Sequence, residues 1–294
     1  MELVKRREFL FNAARGLGSA WLASKLNLAQ MAFAAGLPLK QKFNAHDPVT
    51  LGRTGIQTSR LAMGTGTHGF GGRSDQTALG MSDLTALLLN GYENGLRFFD
   101  TSDSYGSHPY VASALKQLPR DKVVVMTKMD TRDAKGARAD LDRFRRELRT
   151  DYIDICLVHC VTEADWNKRY RGVMDVLSEA KQKGIIRTHG VSCHSIAVLR
   201  TAAIEPWVEV DLVRMNPAGA YMDSDPSTVA EVIKQMRASG KGIIGMKILG
   251  QGVLSNLQSQ ALHYALGLGL LDAFTIGAAS KKEQMDLIQR IAAA

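Results

Sequence analysis

The stretch Leu96-Arg97-Phe98-Phe99-Asp100-Thr101-Ser102-Asp103-Ser104-Tyr105-Gly106 reads as an apolar strand that ends in a carboxylate, with a phenol five residues later. Two further apolar runs end on a polar group. Lys128 closes Lys122-Val-Val-Val-Met-Thr-Lys, and His159 closes Tyr152-Ile-Asp-Ile-Cys-Leu-Val-His. The intervals from Asp100 to Lys128 and from Lys128 to His159 are 28 and 31 residues, the length of one strand, loop, helix and loop. Adjacent parallel strands would then present a carboxylate, a phenol, an amine and an imidazole at one end.

Outward from that stretch, apolar runs end near Met63, Asp100, Lys128, His159, Ser192, Asn216, Met246 and Ile276. They are rich in Val, Ile and Phe and lack clean alternation, as expected of parallel strands covered on their outer face. Between them lie helix-period patterns. Leu141, Phe144 and Leu148 share one face, Met174 and Leu177 begin another, and Lys181, Lys183 and Gly184 supply a basic last turn and a cap. Ahead of the first strand, Val49 to Thr58 reads as a hairpin with Gly52 and Gly55 at its turn. An eight-fold strand–helix alternation predicts an α/β fold, a (β/α)8 TIM barrel with a short N-terminal hairpin. The active site of such a barrel sits at the C-terminal strand ends.

The barrel is expected over residues 37–294, and residues 1–36 read as a separate segment. Lys5-Arg6-Arg7-Glu8-Phe9-Leu10 precedes a weakly apolar run interrupted by Lys25, and small residues follow around Ala32 to Ala35. This pattern resembles a twin-arginine signal and predicts export of the folded chain to the periplasm through the twin-arginine machinery.

The net charge of +8 falls to a surplus of five once residues 1–36 are set aside. A dispersed surplus of that size is a soluble surface and gives no nucleic-acid footprint. Cys156, Cys160 and Cys193 are too few for an all-cysteine iron–sulfur cluster, and no metal ligand set is assigned. Gly64-Thr-Gly-Thr-His-Gly69 matches a dinucleotide fingerprint but lacks the helix that must follow it, so it is read as the loop after the first barrel strand.

A phenol with a pKa near 10 donates poorly at neutral pH unless a neighbour stabilises the phenolate. Lys128 can do so by its charge, Asp100 can hold Lys128, and His159 can offer a neutral N–H to a carbonyl oxygen. Together they suit protonation of an alkoxide as hydride reaches a carbonyl carbon.

The run from about Val49 to the C-terminus resembles an aldo-keto reductase. Leu51-Gly-Arg-Thr-Gly-Ile is similar to that family's opening hairpin, Phe99-Asp-Thr-Ser-Asp-Ser-Tyr-Gly to its catalytic signature, and Arg149 to His159 to its fourth strand. Lys183 to Ser192 resembles the approach to the cofactor amide site. The resemblance implies Tyr105 as general acid, Lys128 and Asp100 as its tuners, and His159 as orienter of the substrate carbonyl. It implies a nicotinamide cofactor, NADP by family habit with NAD open, and a small-molecule carbonyl substrate. The cofactor contacts it implies are Gly64, Thr65, Ser192, Cys193, Asn216, Met246, Lys247, Leu249, Gly277, Ser280, Lys281 and Gln284.

Several of these positions depart from the family pattern. Cys193 replaces an Asn, Leu212 sits where a Gln would be, and Met246 replaces an aromatic that stacks on the nicotinamide. Lys247 would approach the pyrophosphate by charge. Gln284 fills a basic position of the adenosine-phosphate loop, which Lys281 and Lys282 would compensate. Trp166 and Tyr170 are the aromatic candidates for the substrate pocket. These departures keep a second expectation open, a nicotinamide-binding sensor or accessory subunit with little turnover. Periplasmic turnover would need a pre-loaded cofactor or a redox partner that recycles it.

Overall fold

The computed structural model describes residues 42–294, and the expected export signal over residues 1–36 lies outside them. A two-stranded antiparallel hairpin, β1 (Pro48–Thr50) and β2 (Gln57–Ser59), precedes eight parallel strands. These are β3 (Leu61–Gly64), β4 (Phe98–Asp100), β5 (Val124–Met129), β6 (Ile153–Val161), β7 (Ile186–Cys193), β8 (Val210–Arg214), β9 (Gly242–Met246) and β10 (Ala273–Ile276). They pair in sequence order, and β10 closes on β3, so the expected (β/α)8 barrel is the observed fold.

Side chains alternate across each strand, so each strand feeds two cores. Ala62, Phe98, Val124, Met126, Ile155, Leu157, Val210, Leu212, Ile244 and Ala273 fill the barrel interior. Each large side chain buried there stabilises the fold by roughly 1.5–3 kcal/mol. Leu51 and Ile56 of the hairpin join the same cluster and plug the N-terminal end of the barrel. Intervening positions such as Phe99, Val125, Val158, Val191 and Val213 face outward into the layer shared with the helices.

That layer is completed by α1 (Met81–Glu93), α2 (His108–Leu115), α3 (Ala134–Leu148), α4 (Trp166–Arg169), α5 (Arg171–Gln182), α6 (Ile196–Ile204), α7 (Pro226–Ala238), α8 (Gln258–Gly267) and α9 (Lys281–Ala293). Helix α3 starts where Asp133 accepts from the Gly136 amide at 2.9 Å, and it buries Leu141, Phe144 and Leu148 as its periodicity requires. Helix α5 buries Met174 and Leu177, and just beyond it Gly184 turns left-handed at φ +71°.

Asp100, Met246 and Ile276 end their strands as read. Two ends differ. Strand β6 continues past His159 to Val161 through a bulge in which Cys160 takes φ +50°. Strand β8 stops at Arg214, which leaves Asn216 in the following loop. Among the described residues no helix is long and apolar enough to cross a membrane.

Candidate active site

The parity that points Phe98, Met126 and Leu157 into the barrel also points Asp100, Lys128 and His159 inward, two residues nearer the C-terminal rim. Lys128 is 0% exposed, and its Nζ donates to Asp100 Oδ1 at 2.5 Å and to the Thr101 carbonyl at 2.8 Å. The other Asp100 oxygen accepts from Thr275 Oγ1 at 2.7 Å, so both carboxylate oxygens are committed. Thr275 is inward-facing on β10 and was not singled out from the sequence. The period-two count from Ala273 is the signal that finds it.

Tyr105 stands on a 3-10 turn, Asp103–Tyr105. Gly106 ends that turn at φ +63°, where a Cβ would lie 2.0 Å from the Gly72 carbonyl oxygen, so glycine is required on both counts. Arg143 grips Asp103 with two nitrogens at 2.6 and 2.7 Å and fixes the turn from α3. The Lys128 ammonium sits 4.7 Å from the centre of the Tyr105 ring. Burial raises the phenol's pKa, and the charge of Lys128 opposes the rise. Burial pulls the Lys128 ammonium down, but Asp100 and Tyr105 together more than offset this and its pKa is raised. The phenol therefore keeps its proton through neutral pH beside a permanent cation.

The His159 ring lies 5.8 Å from the Tyr105 ring, edge to face. Its Nδ1 is 2.9 Å from Asp130 Oδ1, with Ser102 Oγ and Ser104 Oγ at 3.4 and 3.5 Å. A carboxylate partner assigns the ring proton to Nδ1, so the neutral ring presents a lone pair at Nε2. The expected neutral N–H donor thus points at Asp130, and a donor at Nε2 requires the imidazolium. Burial lowers the His159 pKa, and the hydrogen bond to Asp130 opposes that.

A cleft of about 250 Å³ opens beside Asp100 and Tyr105. Gly64, Gly66, Gly277, Leu212, Met246, Lys247, Leu249 and Ile276 line it, and Ser255, Gln258 and Glu283 line it as well. The loop after β3 lies on the Tyr105 ring: a Cβ on Gly66 would be 2.2 Å from Tyr105 Cε2, and one on Gly69 2.4 Å from Cδ1. The glycine pattern at Gly64, Gly66 and Gly69 therefore serves close packing on the phenol, and it opens no helix, as expected. An apolar patch of Leu212, Met246 and Ile276 beside a proton donor, with polar side chains elsewhere in the cleft, fits a nicotinamide nucleotide.

Of the residues expected to hold that cofactor, Gly64, Met246, Lys247, Leu249 and Gly277 line the cleft. Ser192 faces inward and is buried, with Oγ 3.5 Å from His194 Nδ1. The structure gives the others different work. Thr65 Oγ1 donates to the Asp100 carbonyl at 2.8 Å and is fully buried. Cys193 lies on the outward parity, and its thiol donates to Asp211 at 3.1 Å between barrel and helices. Asn216 spends its amide on loop closure, donating to the Ala220 and Lys247 carbonyls at 2.8 and 3.0 Å and accepting from two backbone amides. Gln284 is buried and accepts from Asn90 Nδ2 at 2.7 Å, tying α9 to α1. Ser280 caps α9 by accepting from the Glu283 amide at 3.1 Å, and Lys281 and Lys282 are exposed beside it. Trp166 is fully buried against Trp207 and belongs to the core, and Tyr170 is nearly buried with the Arg132 guanidinium 4.9 Å from its ring centre.

Asp103, His108 and Glu147 bring three potential ligand atoms together. Arg143 already bridges Asp103 and Glu147, and both His108 nitrogens are engaged, by Glu147 and by Thr127 at 2.7 Å each, so the cluster is an ion-pair network.

The Aldo/keto reductase family model matches residues 62–267. L-galactose dehydrogenase of Arabidopsis thaliana is 25% identical over 230 residues, covering 73% of this chain and 69% of that protein. The NADH-specific methylglyoxal reductase of Escherichia coli K12 is 29% identical over 230 residues, covering 70% of this chain and 68% of that protein. Among solved structures, a putative aldo-keto reductase of Pseudomonas aeruginosa superposes with a TM-score of 0.72 at 21% identity, over 85% of this chain and 97% of that one, a likeness of fold. With a match that runs from the first barrel strand to α8 and a closed eight-stranded barrel beneath it, the chain belongs to the aldo/keto reductase family and is an oxidoreductase.

Proposed function

We propose that the protein interconverts an aldehyde or ketone and its alcohol with a nicotinamide, and that Tyr105 is the proton donor. The observation that carries this reading is the Lys128 ammonium held between Asp100 and the Tyr105 ring, both of which line the cleft. When bound, a reduced nicotinamide supplies the hydride to the carbonyl carbon. The carbonyl π pair then moves to oxygen, and Tyr105 gives that oxygen its proton. Lys128 stabilises the phenolate left behind, and solvent reprotonates it. Asp100 and Thr275 keep Lys128 and its counter-charge in register. In the reverse direction the phenolate takes the proton from the alcohol.

Family habit favours NADP, and the exposed Lys281 and Lys282 support it as the cations at the expected adenosine end. The burial of Gln284 against Asn90 removes one contact there and favours NAD. For localisation, Lys5-Arg6-Arg7 supports export by the twin-arginine route to the periplasm, with a redox partner or a pre-loaded nucleotide sustaining turnover. Replacing Arg6 and Arg7 with Lys is expected to retain the protein in the cytoplasm, and unchanged periplasmic accumulation overturns that assignment.

The deciding experiment is single-turnover oxidation of NADPH and NADH with a panel of aldehydes, ketones and quinones. Wild-type protein is expected to oxidise a nucleotide with at least one acceptor, and Tyr105→Phe to slow that step by roughly 10²-fold or more while leaving the fold intact. Equal rates in the two proteins would remove Tyr105 from the mechanism.

A further inference from the structure

Register places a second charged pair at the same rim. Arg214, the last residue of β8, is the Cα partner of Met246 at the end of β9, and Lys247 follows Met246 directly. Arg214 shares the inward parity of Val210 and Leu212. One of its terminal nitrogens donates to Asp223 Oδ1 at 2.5 Å, and its Nε is buried with no partner among the described residues.

Lys247 is pinned by its backbone. Its φ is +58°, and its carbonyl accepts from the Gly250 amide at 2.8 Å and from Asn216 Nδ2 at 3.0 Å. Its side chain lines the cleft beside Tyr105 and Asp100. Among the described residues its ammonium has neither a hydrogen-bond acceptor nor a carboxylate. Asp100, the nearby acid, has both oxygens committed to Lys128 and Thr275, and Asp223 is fully buried against Arg214. Burial lowers the Lys247 pKa, and the charges of Arg214 and Lys128 lower it further. Next to the cleft, the Cys160 thiol and the His194 ring both feel Arg214 and Lys247. A cation without a matching acid, in a partly desolvated pocket, is offset by an anion.

We propose that Lys247 receives an acidic group, and that the preferred substrate is an aldehyde or ketone that also carries a carboxylate. The carboxylate sits against Lys247 while the carbonyl reaches Tyr105, so charge sets both selection and orientation. The inference rests on the carbonyl-reductase reading for its substrate, whereas the anion site itself stands on the unpaired ammonium. A nucleotide pyrophosphate offers the same chemistry, and the test separates the two sources.

The test compares 4-formylbenzoate with its methyl ester, which share a carbonyl and differ in charge, in wild-type protein and in Lys247→Gln. Dissociation constants of NADPH and NADH are measured in parallel. The proposal expects kcat/KM for the acid to exceed that for the ester by about tenfold or more in wild type, and this ratio to fall towards one in Lys247→Gln. It is overturned if the ratio is near one in wild type or survives the substitution. It is equally overturned if Lys247→Gln weakens nucleotide binding about tenfold and lowers both aldehydes alike, which assigns Lys247 to the pyrophosphate. If wild-type protein reduces neither aldehyde, the reductase reading is decided separately by the wider panel of acceptors. Calorimetric binding of benzene-1,4-dicarboxylate to protein saturated with nucleotide then decides: binding that is lost in Lys247→Gln supports the anion site, and no binding or equal binding in both proteins overturns it.

Discussion

Asp130 Oδ1 lies 2.9 Å from His159 Nδ1 and thereby dictates which nitrogen of the ring carries its proton. Burial lowers the His159 pKa, and the Asp130 carboxylate opposes that. In Asp130→Asn that support is gone, so the His159 titration moves down and the tautomer is released. If Nε2 donates to the substrate only as part of the imidazolium, kcat/KM for reduction falls as pH rises through the His159 pKa, and that fall moves to lower pH in the variant. An unchanged His159 titration, followed by ring NMR, would remove Asp130 from the site.

The phenol of Tyr105 is held above its ordinary value by burial, with Lys128 pulling the other way. Carbonyl reduction needs the phenol protonated, so Tyr105 itself imposes no loss of rate across neutral pH. Alcohol oxidation, which needs phenolate, should rise as pH climbs towards that ionisation. Lys128→Met is expected to slow both directions by about 10²-fold or more. It also leaves the Asp100 carboxylate buried without its cation, at a cost of roughly 3–5 kcal/mol. Adding Asp100→Asn to that variant should restore much of the melting temperature and none of the activity. Recovery of activity in the double variant would show that charge at Lys128 is dispensable.

A methyl group at Gly66 would fall 2.2 Å from Tyr105 Cε2, so Gly66→Ala must move the ring or the loop. A displacement of about 1 Å at a proton donor is expected to lower kcat by about 10²-fold, with the fold retained. Wild-type turnover in Gly66→Ala would mean that the loop after β3 yields freely and does not position the phenol.

The barrel was legible because its strands repeat on one period and carry uninterrupted Val, Ile and Phe. The candidate catalytic groups were legible as inward-facing because Asp100, Lys128 and His159 each end such a run on the inward parity. The cofactor contacts were less legible because single residues decide them through parity and loop closure. Cys193 follows the inward Ser192 by one position and therefore faces the helices, where Asp211 takes its thiol. Asn216 looked free while it was placed at a strand end. With β8 ending at Arg214, its amide is consumed by two loops. The loop alone places Gln284 at a phosphate position that a basic residue would fill, and only the packing of α9 on α1 shows that Asn90 holds it.

Lys281 and Lys282 open α9 in solvent and are the cations available to a 2′-phosphate at that end. Replacing both with Ala is expected to raise KM for NADPH several-fold and to leave KM for NADH nearly unchanged. Salt should reproduce part of the effect in wild type, because exposed charges are screened with a Debye length of about 8 Å at 0.15 M. Equal changes for the two nucleotides would place the adenosine end elsewhere.

Asp211 is a buried acid with little support. Its Oδ2 accepts from the Cys193 thiol at 3.1 Å, while Oδ1 is buried with no partner among the described residues. Burial pushes its pKa up to about 7, against 3.8 when free. The folded state therefore binds a proton more tightly than the unfolded chain. Stability from this group is full below about pH 4, declines as pH rises, and is lost above about pH 7, a change of a few kcal/mol. Asp211→Asn keeps the shape without the charge and can donate as well as accept. It is expected to raise the melting temperature at pH 8 and to have a much smaller effect at pH 5. A variant less stable than wild type at pH 8 would mean that the ionised carboxylate has a partner in the folded protein that compensates its burial.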